Sequence, residues 1–250
     1  WSVFASIYNE DTPDFVFTGV VRFVADILDQ HNIKKTDYII DAFTHGGSIA
    51  RHLSKAGYSN ISSTSSSREM LAKSYQLCAD NPEITFIESD LATLQLAHPA
   101  DAIVWVDYTT NLSLTEQELQ QQLQTLLDNI KPGGCLIFDI RTANGWNAYF
   151  FREKVATFAT PNFQRVSVNS YNKKSSLVLF DRFIRLKQNN GMWGEWQREQ
   201  MTDRVWTLRE VKTIVGRLKH CSLESIYSDT FSPVGEAHEP NLAYFVLKKK

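Results

Sequence analysis

An α/β fold built on a mostly parallel sheet is what this chain of 250 residues predicts. Three observations carry the expectation. Short β-rich runs alternate with helical stripes of about 10–15 residues over the first 150 positions, the order that winds a parallel sheet beneath helices on both faces. The run Asp101-Ala102-Ile103-Val104-Trp105-Val106-Asp107 is apolar enough to be covered on both sides, as central strands of such sheets are. Beyond about residue 150 the apolar period becomes two, which adds antiparallel strands to the end of the chain.

The elements follow in order. Residues 14–31 place Val16, Val20, Phe23, Val24, Ile27 and Leu28 on one helical stripe. Asp37–Asp41 is a short strand, followed by Gly46-Gly47 and a helix that Gly57 ends. Residues 60–64 form a weaker second strand. A helix over Glu69–Asp80 is closed by Asn81-Pro82, and Ile84–Glu88 is the third strand. Asp101–Asp107 is the fourth strand. Thr115 with Glu118 makes a capping box for a helix to Ile130. Lys131-Pro132-Gly133-Gly134 is a hard turn, and Cys135–Ile140 is the fifth strand. Residues 165–172, 176–187 and 192–202 alternate as an antiparallel meander, with Asn189-Asn190-Gly191 as a turn. A helix over 207–219 and strands over 222–229 and 242–248 complete the chain. One domain over 1–250 is expected, with an antiparallel insertion at 160–206 that covers the site or forms a homodimer contact. The meander aromatics Phe180, Phe183, Trp193 and Trp196 serve as core, as a roof over an apolar substrate, or as a dimer sheet.

Composition narrows the function. With 26 basic and 28 acidic side chains and a net charge of −2, the chain lacks the basic surplus of a general nucleic-acid binder. No apolar run reaches the ~18 residues of a membrane span. The three cysteines, Cys78, Cys135 and Cys221, are far apart and odd in number, which suits a reducing compartment and a cytoplasmic location. No signal-peptide pattern opens the chain, although Trp1 is not an initiator residue. The sequons at Asn60-Ile61-Ser62 and Asn111-Leu112-Ser113 are expected to stay unmodified there. His45 and His52 are seven apart and His220-Cys221 is adjacent, so no metal-ligand spacing arises. Parallel sheets bind ligands outside the carboxyl ends of their strands, so the loops after Asp41, Thr64, Glu88, Asp107 and Ile140 are where chemistry belongs.

Several runs in those loops bear a resemblance. Lys131-Pro132-Gly133-Gly134 before an apolar strand, Ser67-Arg68-Glu69-Met70-Leu71 at a helix start, Ile87-Glu88-Ser89-Asp90-Leu91 and Phe4-Ala5-Ser6-Ile7-Tyr8 occur in the order and spacing of the class I S-adenosylmethionine-dependent methyltransferases. The tail, with Arg204-Val205-Trp206-Thr207-Leu208 and Ile226-Tyr227-Ser228-Asp229, resembles a branch of bacterial small-molecule members. The resemblance implies a Rossmann-like seven-stranded sheet and a small-molecule substrate. It also implies S-adenosylmethionine held by Tyr8, Asp41, Phe43, Gly46, Gly47, Ser65, Asp90 and Leu91.

The cofactor motif is degenerate. The family has an acidic residue and then three glycines at alternate positions; in Asp41-Ala42-Phe43-Thr44-His45-Gly46-Gly47 only Asp41 and Gly47 match. Ser65 stands where the family has a carboxylate for the ribose hydroxyls, and neutral hydrogen bonds are about half as strong as charge-assisted ones. A divergent working site and a fold turned to other use both follow, the latter a cyclase, an isomerase or a non-catalytic protein. In the catalytic reading Asp107 accepts a proton or holds an amine, Tyr108 orients the acceptor, and His45 acts as base or stacks on a ligand. Tyr8 is a lid residue, and Asn111, Arg141 and Arg204 contact substrate. The structural readings stand beside these: a cap for Asp107, packing for Tyr108, a surface ion pair for Asp139 and Arg141, and a salt bridge for Arg204.

Overall fold

The computed structural model describes every residue except 1, 13, 45, 150–153 and 236–238, and, for side chains, residues 2, 9, 14, 148 and 149. The chain opens with helix α1 (Ser2–Asp11), a 3-10 turn over Asp14–Phe17 and α2 (Thr18–Gln30). It continues through β1 (Ile39–Asp41), α3 (Ser48–Lys55), β2 (Ile61–Ser65), α4 (Arg68–Leu77), β3 (Ile84–Glu88) and β4 (Ala100–Trp105). A 3-10 turn at Thr109–Leu112 precedes α5 (Glu116–Asp128), β5 (Ile130–Arg141) and α6 (Ala143–Tyr149). Then come β6 (Val155–Ala159), β7 (Phe163–Asn172), β8 (Leu177–Leu186), β9 (Gln197–Arg204), α7 (Leu208–Val215), β10 (Cys221–Ser228) and β11 (Leu242–Lys249).

Seven strands form one sheet in the order β10-β11-β5-β4-β1-β2-β3. β1 through β5 run parallel, and β11 lies antiparallel to both β5 and β10. The order reverses at β1 and β4, and the crevice outside their carboxyl ends is the switch point where such sheets take ligands. Ile103, Val104 and Ile137 are fully buried, with one apolar layer under α2 and α3 and another under α5 and α7. Strands β6-β7-β8-β9 form a separate antiparallel sheet, and Trp146, Val178, Phe180 and Val205 make a third apolar cluster beneath it.

Four expectations need correction. The second sheet has four strands and begins at Val155, because β6 pairs with β7 along Val155–Ala159. The helix expected over 14–31 is a 3-10 turn followed by α2. Lys131-Pro132-Gly133-Gly134 is not a separate turn before the strand. It is looped out inside β5, since Ala100 pairs with Ile130 while Ala102 pairs with Cys135. There Gly133 is left-handed at φ 86°, and a Cβ on Gly134 would lie 2.4 Å from the Asp101 carbonyl oxygen, so both glycines are required. The box at Thr115 is half formed. Its hydroxyl accepts from Glu118 N–H, but the Glu118 carboxylate takes the N–H of Leu114 instead. The complete capping box is at Thr207 and Glu210, opening α7.

Candidate active site

The corner after β4 carries two successive left-handed residues without glycine, Asp107 at φ 75° and Tyr108 at φ 48°. Each such residue costs about 1–2 kcal/mol unless its surroundings hold it. Asp139, buried near the end of β5, holds both. Its Oδ1 accepts the N–H of Tyr108 at 2.8 Å and its Oδ2 the N–H of Asp107 at 3.1 Å. Thr110 adds a hydroxyl donated to the Asp139 carbonyl. Asp139 is therefore a brace beneath the corner rather than half of a surface ion pair. Burial, then the neighbouring Asp107 charge, pushes its pKa up to about 8, while the two N–H bonds pull it down.

Helix α1 closes on this corner. Tyr8 is buried and donates its hydroxyl to Asp107 Oδ2 at 3.0 Å. Burial and the Asp107 charge hold its phenol well above the ordinary range, so it remains a proton donor. The Asp41 charge adds the smallest part of that rise. Tyr108 is raised by the same two causes, burial first, and Arg141 stacks on its ring at 4.1 Å.

A cavity of about 310 Å³ opens where Tyr8 meets the β4 corner, within the usual size range of small-molecule sites. Its floor includes Asp107, Tyr108 and Arg141, its side Phe4 and Tyr8 of α1 with Trp146 of α6, and its roof the inner face of the four-stranded sheet. Of the four meander aromatics, only Phe180 lines it. Arg165, Arg182 and Asp203 also line it and were missed in the sequence. The alternation of β7 and β8 contained that signal, because Arg165, Ser167 and Asn169 share a face with Arg182 and Phe180 once the two strands are paired.

Asn111 and Arg204, expected to contact substrate, do structural work away from the cavity lining. Asn111 is fully buried, donates to the carbonyls of Arg141 and Arg204 at 3.0 and 2.8 Å, and accepts the N–H of Arg141 at 2.9 Å. It clasps the end of β5 to the end of β9. Arg204 donates to the Leu114 carbonyl, pairs with Glu210 at 3.1 Å and lies 3.9 Å from the Trp206 ring.

The expected cofactor loop sits at the ends of β1 and β2. Asp41 is buried and accepts from the Ser63 hydroxyl at 3.0 Å. Phe43 is left-handed at φ 58°, at a position where the family has glycine, and Gly46 and Gly47 follow at φ 68° and 72°. The glycine-like backbone is thus kept although the glycine is gone. The Phe43 ring packs against the apolar layer shared with α5 and α7. A Cβ on Gly47 would fall 2.6 Å from Cys78 Sγ, which makes that glycine a packing contact between α3 and α4. Ser65 is buried and its hydroxyl accepts the N–H of Ser67. Asp90 Oδ1 accepts the N–H of Ala92 at 2.7 Å, closing its own turn, and Leu91 is core. His45 lies outside the described residues. Among the described residues no three His, Cys, Asp or Glu side chains cluster to hold a metal, and no helix is long and apolar enough to cross a membrane.

The fold superposes on solved structures at low sequence identity. An S-adenosylmethionine-dependent methyltransferase from Clostridium acetobutylicum superposes with a TM-score of 0.79 at 14% identity, over 99% of this chain and 96% of that one. An S-adenosylmethionine-bound amino pentose methyltransferase from Micromonospora echinaspora gives 0.72 at 14%, over 100% and 98%. A sugar N-methyltransferase from Streptoalloteichus gives 0.74 at 13%, over 97% and 90%. No protein-family model and no curated protein matches the sequence. The fold is that of the class I S-adenosylmethionine-dependent methyltransferases.

Proposed function

We propose that the chain transfers a methyl group from S-adenosylmethionine to a small molecule held in the cavity beneath the four-stranded sheet. The observation that carries this is the braced corner at Asp107 and Tyr108, which opens on an aromatic-walled cavity. The residues fit the cofactor at two of three places. Asp41 and the left-handed residues Phe43, Gly46 and Gly47 suit its amino-acid end, and the Asp90 turn suits its base. Ser65 supplies only a hydroxyl where a carboxylate would grip the ribose, so weaker affinity is expected.

When bound, S-adenosylmethionine supplies a methyl group on a sulfonium. The chain aligns the acceptor and keeps water out. Held near-attack geometry is worth about 7–11 kcal/mol where it is well achieved. Tyr108 and Arg141, stacked on each other, orient the acceptor. Asp107 receives the proton of an acceptor N–H or O–H, or holds an ammonium. Tyr8 fixes the rotamer of Asp107 and closes α1 over the reacting atoms. Phe43 and Ser65 favour a second reading, in which the fold serves a reaction without methyl transfer.

Calorimetric titration with S-adenosylmethionine and its demethylated product separates the two. Micromolar binding followed by a methylated acceptor supports the first. No binding up to millimolar concentration removes it.

A further inference from the structure

The roof of the cavity contains an arginine, Arg182, whose hydrogen-bond donors are not used among the described residues. β7 pairs with β8 so that Ser167 faces Arg182 and Asn169 faces Phe180, and β8 pairs with β9 so that Arg182 faces Glu199. These side chains share the inner face of the sheet. The Arg182 guanidinium lies 4.5 Å from the Phe4 ring and 5.4 Å from the Phe180 ring. Its Nε is buried, and among the described residues the group makes no hydrogen bond and no ion pair. Ring faces and distant carboxylates offset part of the lost hydration, but a buried guanidinium whose N–H groups make no hydrogen bond still lacks most of what water gave it.

Two of the neighbouring carboxylates, Asp11 and Glu199, are engaged elsewhere. Asp11 Oδ1 lies 3.2 Å from Arg165 Nε. The two oxygens of Glu199 accept the N–H groups of Val3 and Phe4 at the start of α1, each at 3.2 Å. On the same face, Ser167 Oγ and Asn169 Oδ1 are buried polar atoms with no hydrogen bond among the described residues. Three flat groups around one space, two aromatic rings and a planar fork of donors, match a carboxylate carried on an apolar or aromatic body. Asp11, Asp203 and Glu199 all act on Arg182 through space, and their negative charge favours a monoanion over a doubly charged phosphate ester.

We infer that the cavity takes a small molecule bearing a carboxylate, which docks on Arg182 beneath the sheet while its opposite end reaches Asp107 and Tyr108. This rests on the reading of the cavity as the acceptor site. Arg182 is then a specificity-determining residue, and amides or esters of the same acceptor are rejected.

The test uses benzoate and benzamide as matched probes, titrated into the whole chain without cofactor and followed by calorimetry and by Trp146 fluorescence. Benzoate is expected to bind at millimolar concentration or better and benzamide at least about tenfold more weakly. Arg182→Met should abolish the preference, Arg182→Lys should keep part of it, and Arg185→Met, on the outer face, should leave it intact. Equal binding of the two probes, no binding of benzoate at millimolar concentration, or an unchanged preference in Arg182→Met would overturn the inference. A carboxylate preference that depends on Arg182, in a chain that does not bind S-adenosylmethionine, would uphold the docking site and remove methyl transfer.

Discussion

At the scale of single residues, three side chains decide how the site behaves. Asp139 has a folded-state pKa near 8, above the unfolded value of about 4. A raised acid binds its proton more tightly in the folded chain, so across that window the unfolded chain has released the proton and the folded chain keeps it. Stability therefore falls as pH rises from about 4 to about 8. Urea midpoints should drop between about pH 5 and about pH 8, and Asp139→Asn should flatten that slope while lowering the midpoint at both. Ser65→Asp should tighten S-adenosylmethionine about tenfold, ~1.4 kcal/mol, the margin of a charged over a neutral acceptor. Calorimetry on the two proteins reads it, and equal affinities would mean that the ribose end lies elsewhere. Phe43→Gly should cost under about 2 kcal/mol, less than the ~3–5 of an ordinary buried phenylalanine, because relief of the left-handed strain offsets the lost packing. That Asp107 and Tyr108 stand at the corner after the fourth strand was legible because the apolar run of that strand is unmistakable. Asp139 was legible only as a surface partner, since the two N–H groups it holds are brought near by sheet pairing and leave no trace in local spacing.

At the scale of elements, the parallel strands could be read from β-rich runs and the helices from their stripes, because local propensity and burial agree there. The second sheet was read one strand short. β6 is an edge strand, with Val155 and Phe158 exposed, and such a strand shows little of the apolar run that marks a buried one. The helix α6 was missed as well, its sequence Ala143-Asn144-Gly145-Trp146 carrying a poor helix former inside. The salt-bridge reading of Arg204 holds, whereas the place of Asn111 was not legible, because it belongs to the seam between β5 and β9, elements far apart in sequence. That seam is testable. Asn111→Ala leaves two buried carbonyls and one N–H without their bonds, and should cost about 3 kcal/mol. A thermal melt reads the loss, and a variant as stable as the parent would show that β9 is held by its other contacts alone.

At the scale of the whole molecule, the site is an assembly of parts that no single segment contains. α1 brings Tyr8, the central sheet brings Asp107 and Asp139, and the second sheet brings Arg165 and Arg182, with Glu199 tying that sheet back to the start of α1. The core depends equally on the last strand. Tyr244, Phe245, Val246 and Leu247 of β11 are buried, and at ~1.5–3 kcal/mol each they contribute about 6–12 kcal/mol, comparable to the entire stability of a domain. A chain ending before Leu242 should therefore show no cooperative unfolding transition, which circular dichroism would register.

The strand order β10-β11-β5 also has a temporal meaning. About a hundred residues of synthesis separate the end of β5 from the start of β11, its neighbour in the sheet. At elongation rates of about 5–20 residues per second, the nascent chain exposes one flank of β5, buried over Cys135–Ile140 in the finished fold, for about 5–20 s. During that interval the growing polypeptide is a client for chaperones, and a ribosome paused in the meander would lengthen the hazard.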